Sequence, residues 1–102
     1  MNVKKILETI ENIEKKPLMF MVEANYDSLK SLLTGYFLGI EDCIGVSYNK
    51  KFSEWLAYQN KVKSALFWSQ YILIHLAKSK EEIAYQLLLK NVKEFLEDEK
   101  ED

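Results

Sequence analysis

Arginine is absent from this chain: all 14 basic residues are lysines. The planar guanidinium fork that grips phosphates and carboxylates in bidentate fashion is therefore missing, and arginine-based anion recognition is excluded. Cysteine occurs once, as Cys43, which rules out an intrachain disulfide or a cysteine metal cluster and fits a reducing, cytoplasmic setting. Histidine also occurs once, as His75, so no second imidazole exists to share a metal ion. Three glycines and one proline in 102 residues leave too few turn formers for an all-β chain and too few glycines for a phosphate-cradling loop. Charge of neither sign dominates. The net charge of −2 lacks the basic excess with which proteins neutralise nucleic-acid phosphates. The longest apolar stretch, Ala65 to Ala77, is broken by Ser69, Gln70 and His75 and falls short of the ~20 residues that cross a bilayer. At the N-terminus, Glu8 and Glu11 interrupt before a signal-peptide core can form. These absences predict a cytoplasmic protein without metal or cofactor, which engages neither nucleic acid nor membrane.

What is abundant is packing surface. Hydrophobic residues make up 48% of the chain and charged ones 29%, the balance of an ordinary folded domain. A chain of this length buries roughly two thirds of its unfolded surface, enough for one core, so residues 1–102 are expected to form a single domain. No linker, low-complexity tract or repeat divides it. Apolar spacing predicts the fold class all-α, a compact bundle of about five helices, with either a short extended segment or a tight connector, buried against the bundle, at 18–22.

Val3, Ile6, Leu7, Ile10 and Ile13 recur at helical spacing over residues 2–15, with Asn2 as N-cap and Pro17 as terminator. A second helix, 26–42, carries Leu29, Leu32, Leu33, Tyr36, Phe37 and Ile40 as one stripe, capped by Asn25 or Asp27. Gly35 and Gly39 inside it each cost up to ~1 kcal/mol against alanine, which predicts close approach of a neighbouring helix or ring. Residues 41–49 read as a loop flexible at Gly45. A third helix over 50–60 presents Phe52, Trp55, Leu56 and Gln59 along one side. A fourth, from a Ser64 cap to Leu76, is apolar on most sides and is expected to be the most buried. The fifth opens on Ser79-Lys80-Glu81-Glu82, a capping-box pattern, and directs Ile83, Leu87, Leu88, Val92, Phe95 and Leu96 to the core.

Few residues here drive chemistry. His75, within Ile72-Leu73-Ile74-His75-Leu76, reads as a hydrogen-bonded structural histidine, and Cys43 as a small filler or an idle surface thiol. A Cys43–His75 hydrolase is the least favoured reading, and no catalytic residue is assigned. Glu41 and Asp42 stand at a helix end whose dipole prefers cations, the kind of misplaced charge that serves a partner or simply meets solvent. The run Glu94, Glu97, Asp98, Glu99, Glu101 and Asp102 is expected to fray as an acidic tail. The centre is rich in rings: Tyr48, Phe52, Trp55, Tyr58, Phe67, Trp68 and Tyr71. Most must be core, while Trp55 and Tyr58 on the short third helix are the candidates for a contact surface, since exposed tryptophan and tyrosine anchor interfaces.

Several short motifs run in a fixed order: Lys16-Pro17-Leu18-Met19-Phe20, Ser31-Leu32-Leu33-Thr34-Gly35-Tyr36, Phe52-Ser53-Glu54-Trp55-Leu56, Ser64-Ala65-Leu66-Phe67-Trp68 and Glu94-Phe95-Leu96. This order resembles a loosely defined group of small bacterial proteins, some of which look like immunity proteins of polymorphic toxin systems. The chain departs from that pattern at Val22, where the glycine expected after the apolar run is missing. The resemblance implies a non-enzymatic cytoplasmic protein that neutralises a toxin by covering it, and it brings no catalytic residues. The expected partner-binding set is Glu41, Asp42 and Glu54 for electrostatic steering, with Trp55 and Tyr58 as anchors. The alternative is a structural or regulatory homo-oligomer that turns the same aromatic surface on itself.

Overall fold

The computed structural model describes residues 2–63 and 66–101. Five helices account for nearly all of the regular structure, and no strand occurs among the described residues. Helix α1 spans Val3–Lys15, α2 Tyr26–Ile44, α3 Tyr48–Gln59, α4 Trp68–Gln70 and α5 Glu81–Glu101. Helix α4 runs straight on as a wider π-helical segment, Tyr71–Leu76. Every helix contributes to one hydrophobic cluster, in which Trp68, Tyr26, Phe37, Phe52 and Phe95 are the largest fully buried side chains. No helix among the described residues is long and apolar enough to cross a membrane.

The first two helices start where the sequence places them. Asn2 accepts the Lys5 backbone N–H through its side-chain oxygen at 2.9 Å, and Asn25 does the same for Ser28 at 2.9 Å. Each satisfies a donor that the first helical turn leaves without an intrahelical partner. Asp27 is not the cap of α2; it pairs with Lys30 at 3.1 Å. Both helices bury the expected stripe, although Leu32 and Tyr36 lie only at the edge of the core.

Elsewhere the structure corrects the reading. Residues 18–22 form the tight connector and not the extended segment, and most of them are not buried. Pro17 begins a 3₁₀ turn over Pro17–Met19, and Leu18, Met19, Phe20 and Val22 project into solvent while Met21 alone reaches the core. The loop expected at 41–49 is mostly helix: α2 continues to Ile44, and Gly45 ends it at φ 76°, the left-handed conformation that glycine adopts without a Cβ clash. Ser47 then caps α3 by accepting the Lys50 N–H at 3.3 Å. Gln59, expected on the core side of α3, is exposed. The cap proposed at Ser64 lies outside the described residues, and Leu66 and Phe67 are not helical. Helix α4 with its π extension is not the most buried element, since Ile74 is 51% exposed. Gly35 and Gly39 face solvent and no part of the chain packs on them. The Ser79 capping box does not form. Ser79 has φ 66° and donates its N–H back to the Leu73 carbonyl at 2.7 Å, so α5 starts later and turns Ala84 inward and Ile83 outward.

The acidic run expected to fray continues α5 as far as Glu101, and Asp102 lies outside the described residues. Two of its carboxylates are used: Asp98 accepts the Trp55 indole N–H at 2.7 Å and Glu99 pairs with Lys51 at 3.6 Å. Glu14 of α1 meets Lys93 of α5 at 2.7 Å, a partly exposed pair that contributes little by itself.

Tyr26 fastens α2 to α4. Its ring is buried, and its hydroxyl donates to the Ser69 carbonyl at 2.5 Å. Burial pushes the phenol well above its ordinary pKa of 10.0. Below pH 10 both folded and unfolded chains keep this proton; above it, only the unfolded chain sheds it. The contribution of neutral Tyr26 is therefore fully present below the unfolded value and lost as pH climbs toward the raised folded one. Urea midpoints measured across that alkaline range should fall more steeply for the native chain than for Tyr26→Phe. Parallel curves would show that the phenol plays no part in alkaline unfolding.

Candidate functional site

The side chains singled out from sequence do not form one patch. Glu41 and Glu54 do come together, as opposite rims of an open groove of about 590 Å³ where α2 meets α3. Both carboxylates are exposed, and Lys50 is the one basic side chain lining the groove. Between the rims stand Leu38 of α2, 50% exposed, and Phe67, 42% exposed, just before α4. Acidic edges around exposed apolar groups are thus the chemistry of this surface.

The floor of the groove is polar but fully committed to the fold. Asn49 and Ser53 are buried on the inner side of α3. The Asn49 side chain accepts the Trp68 indole N–H at 2.9 Å and donates to the Thr34 carbonyl at 3.2 Å. Ser53 Oγ accepts the Trp68 backbone N–H at 3.0 Å and donates to the Asn49 carbonyl at 2.9 Å. These bonds lock α2, α3 and α4 into one rigid unit beneath the rims. Among the described residues no buried side-chain nitrogen or oxygen lacks a partner, in keeping with the high cost of leaving one unmade.

Trp55, Tyr58 and Asp42 lie outside the groove. Trp55 is half-buried: its ring packs on Phe52 and Phe95 at centroid distances of 6.2 and 6.0 Å, and its N–H is spent on Asp98. It holds α3 to α5 and offers a partner only one edge. Tyr58, 81% exposed, remains an available contact on the outer side of α3. Asp42 is exposed on α2 beside Cys43.

In comparison with known proteins, no family model, curated protein or solved structure matches this chain.

His75, expected as a hydrogen-bonded structural histidine, is exposed with its ring against Tyr71 at 5.2 Å, and its side chain makes no hydrogen bond among the described residues. Cys43 is an exposed thiol. Of the apolar members of the site, Leu38 went unread in the sequence and Phe67 was named only among the central rings; the exposure of Leu18, Met19 and Val22 also went unread. One signal for Leu38 was available: it lies off the buried stripe of α2, within a stretch from Ser31 to Ile40 that contains no charge.

Proposed function

We propose that the protein acts in the cytoplasm by binding another protein, as an immunity protein that occludes the basic functional groove of a toxin domain. It performs no bond-making step of its own. The observation that supports this reading is the α2–α3 groove, where Glu41 and Glu54 flank the exposed Leu38 and Phe67 on a floor already locked by hydrogen bonds. Carboxylates on a rim raise the rate of encounter with a cationic partner, and apolar groups inside it slow departure once water is expelled. A rigid floor keeps the ordering cost of binding small. Tyr58 extends the contact along α3.

The test expresses the reading frames that neighbour this chain's gene as candidate toxins, and finding none that arrests growth would count against the reading. Co-expression should rescue growth, and Glu41→Lys combined with Glu54→Lys should abolish rescue and slow association at least ~10-fold at low salt. The same double variant should flatten the dependence of association on ionic strength, whereas Leu38→Ala should act on dissociation. Undiminished rescue and unchanged association rates in the double variant would remove the groove from the mechanism.

A further inference from the structure

The connector between α1 and α2 carries an apolar knob. Val22 is 96%, Met19 75%, Leu18 70% and Phe20 42% exposed. The knob is held in shape by its backbone: Met19 N–H donates to the Lys16 carbonyl at 3.1 Å, and Phe20 and Met21 N–H to the Pro17 carbonyl at 3.0 and 2.9 Å. Buried Met21 pins it to the core. Exposed aliphatic groups clustered on a preformed turn are costly to leave in water and pay little further entropy on docking. Lys15 and Lys16 stand exposed at its base, and neither enters an ion pair among the described residues.

The same chain carries a matching hollow. Along the outer side of α2, Gly35 and Gly39 leave room in which an added Cβ would meet no atom within 4 Å. With Tyr36, Ile40, Cys43 and Ile44 they form an apolar-walled groove of about 270 Å³. No charge occurs on α2 between Ser31 and Ile40. Beyond that stretch comes Asp42, exposed, with no basic residue in the last turn of the helix. This end of α2 is therefore negative through Asp42 and through the helix carbonyls.

Knob and hollow are complementary in polarity and charge, yet they cannot meet within one molecule. The knob precedes Tyr26 at the start of α2 and the groove centres near Gly39, about 20 Å further along the axis at ~1.5 Å rise per residue. We propose that the occupant of the groove is a second copy of this chain, which inserts its 17–22 loop and sets Lys15 and Lys16 against Asp42. Made reciprocally, the contact closes a pair; made once per copy, it strings copies together. A loop seated in a groove this small belongs at or below the low end of specific interfaces, about 1,200 Å², so the association is reversible and weak. This inference does not depend on toxin binding, which uses the other side of α2 and Glu54.

Light scattering and sedimentation from roughly 1 µM to 1 mM bracket the affinity of an interface of this size. The mass should rise with concentration above the 12.0 kDa of one chain. Met19→Glu and Val22→Glu alter exposed positions and should each weaken association at least ~10-fold, with circular dichroism confirming that the fold is kept. Gly39→Lys, which fills the groove and opposes Lys15 and Lys16 with like charge, should do the same, while Glu54→Lys should have no effect. Under oxidation, Met19→Cys should cross-link to the native Cys43 of a second copy, and Cys43→Ala should abolish that product. A mass of 12.0 kDa at every concentration would overturn the proposal, as would association indifferent to Met19→Glu and Gly39→Lys. Loop-dependent binding to phosphatidylserine vesicles by a chain that stays monomeric would reassign the knob to a lipid surface.

Discussion

Trp68→Ala is expected to cost about 3–5 kcal/mol, the range for truncating a fully buried tryptophan. Trp68 is wholly enclosed, packs on Phe52 at a centroid distance of 5.5 Å, and carries two hydrogen bonds into α3. Phe52 in turn stacks on Phe95 at 5.2 Å, and Phe95 meets Tyr48 at 6.3 Å. The cavity therefore opens between α3 and α4, where the rings of Phe52 and of Phe67, 5.4 Å away, resist collapse into it. Domains of this size are stable by only about 5–15 kcal/mol, so the loss is a large share of the whole. Thermal melts followed by circular dichroism should show the midpoint lowered by about 15–30 °C. A drop corresponding to less than about 1 kcal/mol would mean that the site is loosely packed and that Trp68 is not central.

Asn49→Ala is the second large effect, expected at about 2–3 kcal/mol because a buried indole N–H loses its acceptor while the tie to the Thr34 carbonyl disappears. Cavity size contributes little here; the cost is an unmade hydrogen bond in a site closed to water. A double-mutant cycle distinguishes the two causes. Trp68→Phe removes the indole donor, so Asn49→Ala in that background should cost at least ~1 kcal/mol less than in the native chain. Additive urea-denaturation energies would show that Asn49 and Trp68 act separately. The pair also bears on the groove above it: Asn49 ties α3 to the Thr34 carbonyl of α2, and so helps set the separation of Glu41 and Glu54.

Local features of this fold were legible in the sequence, and non-local ones were not. Asn2 and Asn25 announce helix starts because a short side-chain oxygen beside the first apolar repeat can reach the free N–H groups of its own first turn. The stripes of α1 and α2 follow from a period sustained over several turns. By contrast, residues 18–22 are too few to reveal a period, and apolarity alone was read as burial; Pro17 instead winds the chain so that one residue of the five turns inward. Ser79 matched a capping pattern, but the π-helical segment delivers it in a left-handed conformation, bonded backwards to Leu73. For the site, the exposure of Glu41 and Glu54 could be read from their charge, whereas the surroundings of Trp55 could not. Its N–H finds Asp98 across 43 residues of sequence, a pairing that joins α3 to the last turns of α5.

The two tryptophans occupy unlike surroundings, and this divides the protein's intrinsic fluorescence into two local reporters. Trp68 emits from an enclosed, dry site, while Trp55 sits half in solvent beside a carboxylate that can quench it. A signal from Trp55 follows the seam between α3 and the end of α5, so detachment of that last turn can be seen while the emission of Trp68 still reports an intact centre.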